Sequence, residues 1–339
     1  MKIRNQWVVM VATIAAASAC VLFSRPASAQ YPGPGPTNIF VDNFDNGSTI
    51  NQTSTPGGTP AASSTSYDMT STKGATASIA SGDLNMELPS SSSTFLEAAA
   101  IFTSTPVVLQ NTGDYIDFIL EFTDTANLTP SNTQNELGIG LFNSGGVSPI
   151  TTNMGTFTAT SGGVQGWTGY NSQIYGSGGT SSKMNQRAAQ AVSAGSQDLL
   201  FNDVASSTYD NPKGSNLVNG ASASTLALTN GAQYTEDFRI TLTGASQIAV
   251  TNTLFAGLGT GGTVEYAYGG LSNVLPATVE FDSLAFGFLE KSSLVQTQDT
   301  SLIEITTGNI DNIPEPSTWM LLASGFAMIV GLVARRRRS

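Results

Sequence analysis

Carboxylates are the side chains in this sequence best placed for acid–base chemistry. The 339 residues contain no histidine and one cysteine, Cys20. Nucleophilic triads with an imidazole base and zinc cages of the usual His/Cys kind are therefore out of reach. Glycoside hydrolysis needs only two carboxylates about 5 to 10 Å apart. Glu280-Phe281-Asp282 offers such a pair, because residues two apart on a strand share a face. Asp117 and Glu121 repeat the arrangement on another strand. In both cases the intervening residues are apolar and belong to a core, so the acids read as a solvated strand face. No catalytic residue is assigned, and the chain is not expected to be an enzyme.

Two other constellations bear on ligands. Asp42, Asp45 and the carbonyls around Gly47 supply the hard oxygens that calcium accepts, although Phe44 stands where an EF-hand loop would place a third ligand. The same residues, Asp45-Asn46-Gly47, also form ordinary turn chemistry. Trp167 and Tyr170, with Tyr175 nearby, offer faces on which sugar rings could stack, or simply pack. The glycine-rich run Gly257–Gly262 lacks the lysine and the strand-to-helix context of a phosphate loop.

Charge narrows the partners. Between Gln30 and Ala334, six basic residues face all 24 acidic ones, a formal balance of −18. Phosphate binding needs the opposite sign, so nucleic acid is excluded as a partner. The cysteine lies in the leader, so no disulfide braces the exported chain and a core of adequate size must hold it.

The elements that position these residues are strands. Ile116, Phe118, Leu120 and Phe122 alternate with Asp117, Glu121 and Thr123, the pattern of a half-buried antiparallel strand. Leu84/Met86/Leu88, Leu137/Ile139/Leu141 and Phe238/Ile240/Leu242 repeat it. Asn38–Phe44, Gln247–Phe255, Val279–Phe288 and Leu302–Thr306 are further strands, with weaker ones near Tyr67 and Met69, over Gly162–Asn171 and over Thr225–Thr229. Lys183–Ala194 is the one passable helix. Some ten to fourteen strands with hairpin-length turns and no βαβ alternation predict an all-β antiparallel sandwich over residues 38–306.

Both ends read as export signals. Residues 1–29 form a signal peptide with a helical apolar stretch: Lys2 and Arg4, an apolar run from Trp7 to Phe23, then Ala27-Ser28-Ala29 before Gln30. Lipid attachment at Cys20 is a rival reading, weakened by Ala17 where such sites carry a bulky apolar residue. Residues 30–37 are a Pro/Gly-rich spacer. Residues 307–317 are a linker that holds Pro314-Glu315-Pro316, whose prolines keep Glu315 extended. A transmembrane helix over 318–334 follows, and 335–339 form a basic cytoplasmic tail. The 16 residues from Trp319 to Ala334 make a helix about 24 Å long against a hydrocarbon core of about 30 Å, a marginal span. Arg335, Arg336, Arg337 and Arg338 stop it on the cytoplasmic side.

Pro314-Glu315-Pro316-Ser317-Thr318-Trp319, the short Leu/Gly/Ala-rich span and the four arginines resemble the PEP-CTERM sorting signal of exported proteins in Gram-negative bacteria that make exopolysaccharide. That resemblance implies an exosortase as partner, reading Pro314, Glu315 and Pro316. It also implies a transient inner-membrane anchor and delivery to the cell surface or outside. The order of the body strands, from Val41-Asp42-Asn43-Phe44 to the Phe281–Gly287 segment, resembles concanavalin A-like (laminin G-like) jelly-roll sandwiches. Glu280-Phe281-Asp282 resembles part of the Glu-x-Asp-x-x-Glu motif of laminarinase-type hydrolases, with Ala285 in place of the third acid. The expectation is a surface or matrix structural protein without a required cofactor, calcium being the one candidate. The alternative is a lectin-like module that holds exopolysaccharide.

Overall fold

The computed structural model describes residues 36–310, apart from 46–47, 51–65, 72–73, 91–93, 130–134, 146–163, 165, 177–181, 188, 190–198, 202–215, 220–225, 246 and 273–277. The chain divides into two units, one of Pro36–Gly308 and one of the two ends, Met1–Gly35 with Asn309–Ser339. The signal peptide, Pro314-Glu315-Pro316, the expected membrane helix and Arg335–Arg338 all lie outside the described residues. Among the described residues no helix is long and apolar enough to cross a membrane.

Eighteen strands are described, and no α-helix is found among these residues. In chain order they begin with β1 (Thr37–Asp42), β2 (Thr49–Ile50), β3 (Ser66–Ser71), β4 (Thr76–Ala80), β5 (Asp83–Leu88) and β6 (Thr94–Ile101). Then come β7 (Val107–Val108), β8 (Asp114–Ala126), β9 (Glu136–Asn143), β10 (Thr168–Tyr175), β11 (Lys183–Arg187) and β12 (Asn216–Asn219). The last are β13 (Gln233–Gly244), β14 (Gln247–Ala256), β15 (Val264–Ser272), β16 (Glu280–Phe281), β17 (Ser283–Glu290) and β18 (Gln296–Asn309).

They form two eight-stranded sheets. The first runs β15-β14-β13-β8-β18-β5-β4, with β1 beside the far half of β18. The second runs β12-β11-β10-β9-β17-β6-β3-β2, and β16 pairs β7 in a small separate ladder. Neighbours are antiparallel except β2 and β3. This is the all-β antiparallel sandwich that the alternation predicts.

Between the sheets lies the main core. Ile116, Phe118, Leu120 and Phe122 of β8 and Phe238 and Ile240 of β13 meet Leu137, Ile139 and Leu141 of β9 and Phe286 and Phe288 of β17. Phe118 and Phe286 join edge to face across the gap, their centroids 6.2 Å apart. Each such side chain removed from water contributes on the order of 1.5–3 kcal/mol.

A second core covers the outer face of the second sheet. Phe95, Ala99 and Ile101 of β6, Phe142 of β9 and Ala285 and Leu289 of β17 lie under Val164, Trp167 and Leu199–Phe201. Strands β6 and β17 are thus buried on both faces, residue after residue. Two-sided burial erases alternation.

Several expectations change. Lys183–Arg187, expected as the start of a helix, is strand β11. Met184 enters the main core while Arg187 is buried on the other face, and β11 pairs β10 throughout. Residues 226–229 carry no strand. The stretch Val279–Phe288 is broken at Asp282 into β16 and β17, which belong to different sheets. Strand β1 ends at Asp42, and Phe44 adopts a left-handed φ of 61°.

Candidate functional site

The carboxylates singled out by spacing are mostly structural. Glu280 is exposed and accepts a bond from Asn143 Nδ2 at 3.3 Å. Asp282 is only 4 % exposed, and it accepts the main-chain N–H and hydroxyl of Ser144, each at 2.7 Å, and the hydroxyl of Ser283 at 2.6 Å. Its oxygens clamp the end of β9 to β17. The expected solvated acidic face does not exist at this position, because the break at Asp282 turns its side chain into the protein.

Asp117 is also not solvated. It lies on the outer face of the first sheet directly opposite Arg239, which donates Nε and Nη2 to its two oxygens at 2.5 and 2.7 Å. The guanidinium lies 4.6 Å from the Tyr115 ring centroid. Burial is the largest influence on Asp117 and pushes its carboxyl up, while Arg239 opposes the shift; Asp117 in turn holds the guanidinium charged. Beside them, burial pushes Asp237 up to about 6. Glu121 accepts the N–H of Gly259 at 2.9 Å.

The candidate calcium turn does not fit a cation. Asp42 Oδ1 receives the N–H of Phe44 at 2.7 Å, and Oδ2 receives the hydroxyls of Ser48 at 2.6 Å and Tyr67 at 2.8 Å. Three hydrogens already point at the oxygens a metal would need. Asp45 is exposed and bonded to Asn43, and Gly47 lies outside the described residues. Among the described residues no three or more His, Cys, Asp or Glu side chains gather to hold a metal.

The aromatic set is buried as well. Trp167, 1 % exposed, packs on Phe142 in the second core at 6.3 Å between centroids. Tyr170 packs on Phe281 in the main core, and Tyr175 is covered too. These rings pack and present no stacking platform.

Other polar groups gave no signal in the sequence. Glu236 points between the sheets, where Asn252 Nδ2 donates to it at 2.8 Å and to Ser172 Oγ at 2.6 Å, linking β13, β14 and β10. Tyr268 closes the chain, with its hydroxyl 2.5 Å from Ser172 and donating to the carbonyl of Lys183 at 2.7 Å. Burial pushes Glu236 up to about 7. Asp68 on β3 is buried with neither oxygen hydrogen-bonded, and burial alone pushes it up to about 8. A neutral carboxyl is the low-cost state for such a group.

Residues 312–338 match the description of the PEP-CTERM protein-sorting motif. The chain carries that motif. It encloses Pro314-Glu315-Pro316 and Arg335–Arg338, the residues picked out from the sequence. No curated protein matches this chain in sequence. Among solved structures, it is similar to a protein of unknown function from Shewanella oneidensis MR-1, with 14 % identity over 72 % of this chain and 79 % of that one, TM-score 0.33. It is similar to peanut lectin solved with a nine-residue peptide, at 10 % identity over 77 % and 97 % of the two chains, TM-score 0.35. Lectin II from Ulex europaeus gives 11 % identity over 80 % and 100 %, TM-score 0.34.

Proposed function

We propose that the chain is an exported cell-surface or extracellular-matrix structural protein, sorted by an exosortase through its PEP-CTERM tail. The observation that carries this reading is the motif at residues 312–338. In this reading Pro314, Glu315 and Pro316 present an extended segment to the enzyme. The apolar run behind them is the transient inner-membrane anchor, and Arg335–Arg338 hold its end on the cytoplasmic side. The body supports a structural role, since Asp42, Asp117 and Asp282 and the rings of Trp167 and Tyr170 are committed to internal contacts. A catalytic role is not part of the proposal. Glu280→Gln that abolished release of reducing sugar from a polysaccharide would refute it on that point.

The reading is tested by Glu315→Ala in the producing cell. The substitution should leave the tail attached and the protein in the membrane fraction. Unchanged processing and surface display would overturn the sorting reading. Consistent binding of the surface-extracted protein on a glycan array would replace the structural role with the lectin-like one.

A further inference from the structure

The two sheets are tied at one flank by polar side chains that point inward. Glu236 of β13, Asn252 of β14 and Tyr268 of β15 lie on successive strands of the first sheet, and Ser172 of β10 meets them from the second. One amide, Asn252 Nδ2, serves both Glu236 and Ser172, while its own Oδ1 is buried without a hydrogen-bond partner. The Tyr268 hydroxyl reaches Ser172 and the carbonyls of Lys183 and Gln173, so it ties β15 to β10 and β11.

Glu236 is the acid of this cluster, and no cation answers it. Leu120 of β8 and Leu254 of β14 stand beside it on its own sheet. From the second sheet come Ser172, with Tyr170 and Ile174 on either side of it along β10, and Ile139 of β9 and Met184 of β11 next to it. The titratable groups on these elements are tyrosines: Tyr234 on its own strand, Tyr170 on β10, and Tyr266 and Tyr268 on β15. Burial pushes Tyr266 and Tyr268 up, so both stay neutral. Lys183 offers only its carbonyl here, since its ammonium lies over the Tyr175 ring, 5.3 Å from the centroid. Burial is the larger influence on Glu236, and the bond from Asn252 is the one that opposes it. An ionised carboxylate in this place has no counter-ion among the described residues, so it must draw water.

The way in is past β15. Among the described strands it is the outermost of its sheet, paired only with β14. Glu265, Ala267, Gly269 and Leu271 are exposed, and Gly269 and Gly270 follow Tyr268 directly, which leaves the backbone free to turn there. We infer that Glu236 is a proton-controlled latch: with the carboxyl neutral β15 is held against β10 and β11, and with the carboxyl ionised β15 peels off and lets water in between the sheets. Opening is local, a property expected of a strand with one neighbour. It uncovers Ser172, Asn252 and the Tyr266–Tyr268 pair, whose rings meet edge to face at 5.2 Å, as a polar cleft with a negative charge at its base. The latch is closed in acid. Glu236 is pushed from 4.5 to about 7 in the closed flank and returns to its ordinary value once hydrated, so opening grows between those two values and levels off above the higher one. The inference does not depend on the export route.

The test is hydrogen exchange of the full chain, followed by mass spectrometry from pH 4.5 to 8.5, with each rate divided by the intrinsic rate at that pH. Protection of the β15 amides should lie below that of β18 at every pH. It should fall about 300-fold between pH 4.5 and 7, the factor set by the two values of Glu236, and stay level above. Glu236→Gln should make β15 protection independent of pH, and Tyr268→Phe should lower it by a similar factor at every pH. Asp68→Asn separates the latch from global unfolding, because Asp68 lies outside this flank: β15 should keep the wild-type pH profile in that variant. Protection of β15 that does not change with pH, or that falls equally in Glu236→Gln, would overturn the latch. So would a β15 profile flattened by Asp68→Asn, or one untouched by Tyr268→Phe.

Discussion

Tyr67 donates its hydroxyl to Asp42 at 2.8 Å, tying β3 of one sheet to the end of β1 in the other. The same carboxylate receives Ser48 and the N–H of Phe44, and the Phe44 ring lies 5.5 Å from that of Tyr67. One side chain thus closes the turn after β1, holds a non-glycine residue in the left-handed region and joins the sheets. Tyr67→Phe keeps the ring and deletes one donor to a buried carboxylate. It should cost about 1–3 kcal/mol in urea unfolding. A loss below a few tenths of a kcal/mol would show that Asp42 does not depend on the hydroxyl.

The raised carboxyls make stability fall with rising pH. Glu236, pushed from 4.5 to about 7, and Asp68, pushed from 3.8 to about 8, hold their protons more tightly folded than unfolded. Their contribution is complete below the unfolded values and is lost as pH climbs through the folded ones. Each can change stability by up to about 1.4 kcal/mol per pH unit across that window. Glu236→Gln should therefore gain on wild type between pH 4.5 and 7, and Asp68→Asn between pH 4 and 8, in urea midpoints taken at pH 5 and 8. Parallel pH curves for wild type and variant would contradict the assignment.

Arg239 and Asp117 form an ion pair of unequal exposure, 38 % for the arginine side chain and 5 % for the aspartate. Removing the arginine strands the buried partner. Arg239→Ala should cost on the order of 2 kcal/mol, discounted from a fully buried pair because water screens the guanidinium. Adding Asp117→Asn should recover part of the loss. A double variant no better than the single would show that the arginine acts through its packing on Tyr115 instead.

The parts of the fold that were legible are those where one strand face carries polar side chains. Ile116, Phe118, Leu120 and Phe122 alternate with Asp117, Glu121 and Thr123, which stand on the outer face whether paired, as Asp117 is, or partly exposed. Strand β6 has no such rhythm, since Phe95, Ala99 and Ile101 enter the second core while Leu96, Ala98 and Ala100 enter the first. Among the described residues its cover includes Leu199–Phe201, which belong to no strand, so no periodicity marks them. Lys183–Arg187 failed as a helix because its pairing with β10 outweighs local propensity. At the candidate sites, spacing placed Glu280 and Asp282 correctly along the chain but could not show that the strand breaks between sheets. Asp68 and Glu236 were hidden because Asp68 stands among serine, tyrosine and threonine and Glu236 beside Thr235 and Asp237, polar settings in which an acid reads as an outward residue. The sorting tail was readable without a fold, since proline geometry, apolar length and arginine charge act through the chain itself.

Intact-mass analysis of the protein extracted from the surface of its producing cell tests the central claim most directly. The account predicts a chain that has lost residues 1–29 and the segment beyond Pro314-Glu315-Pro316, with Arg335–Arg338 gone. A surface protein that retains the four arginines, or a cytosolic protein with both ends uncut, would contradict it.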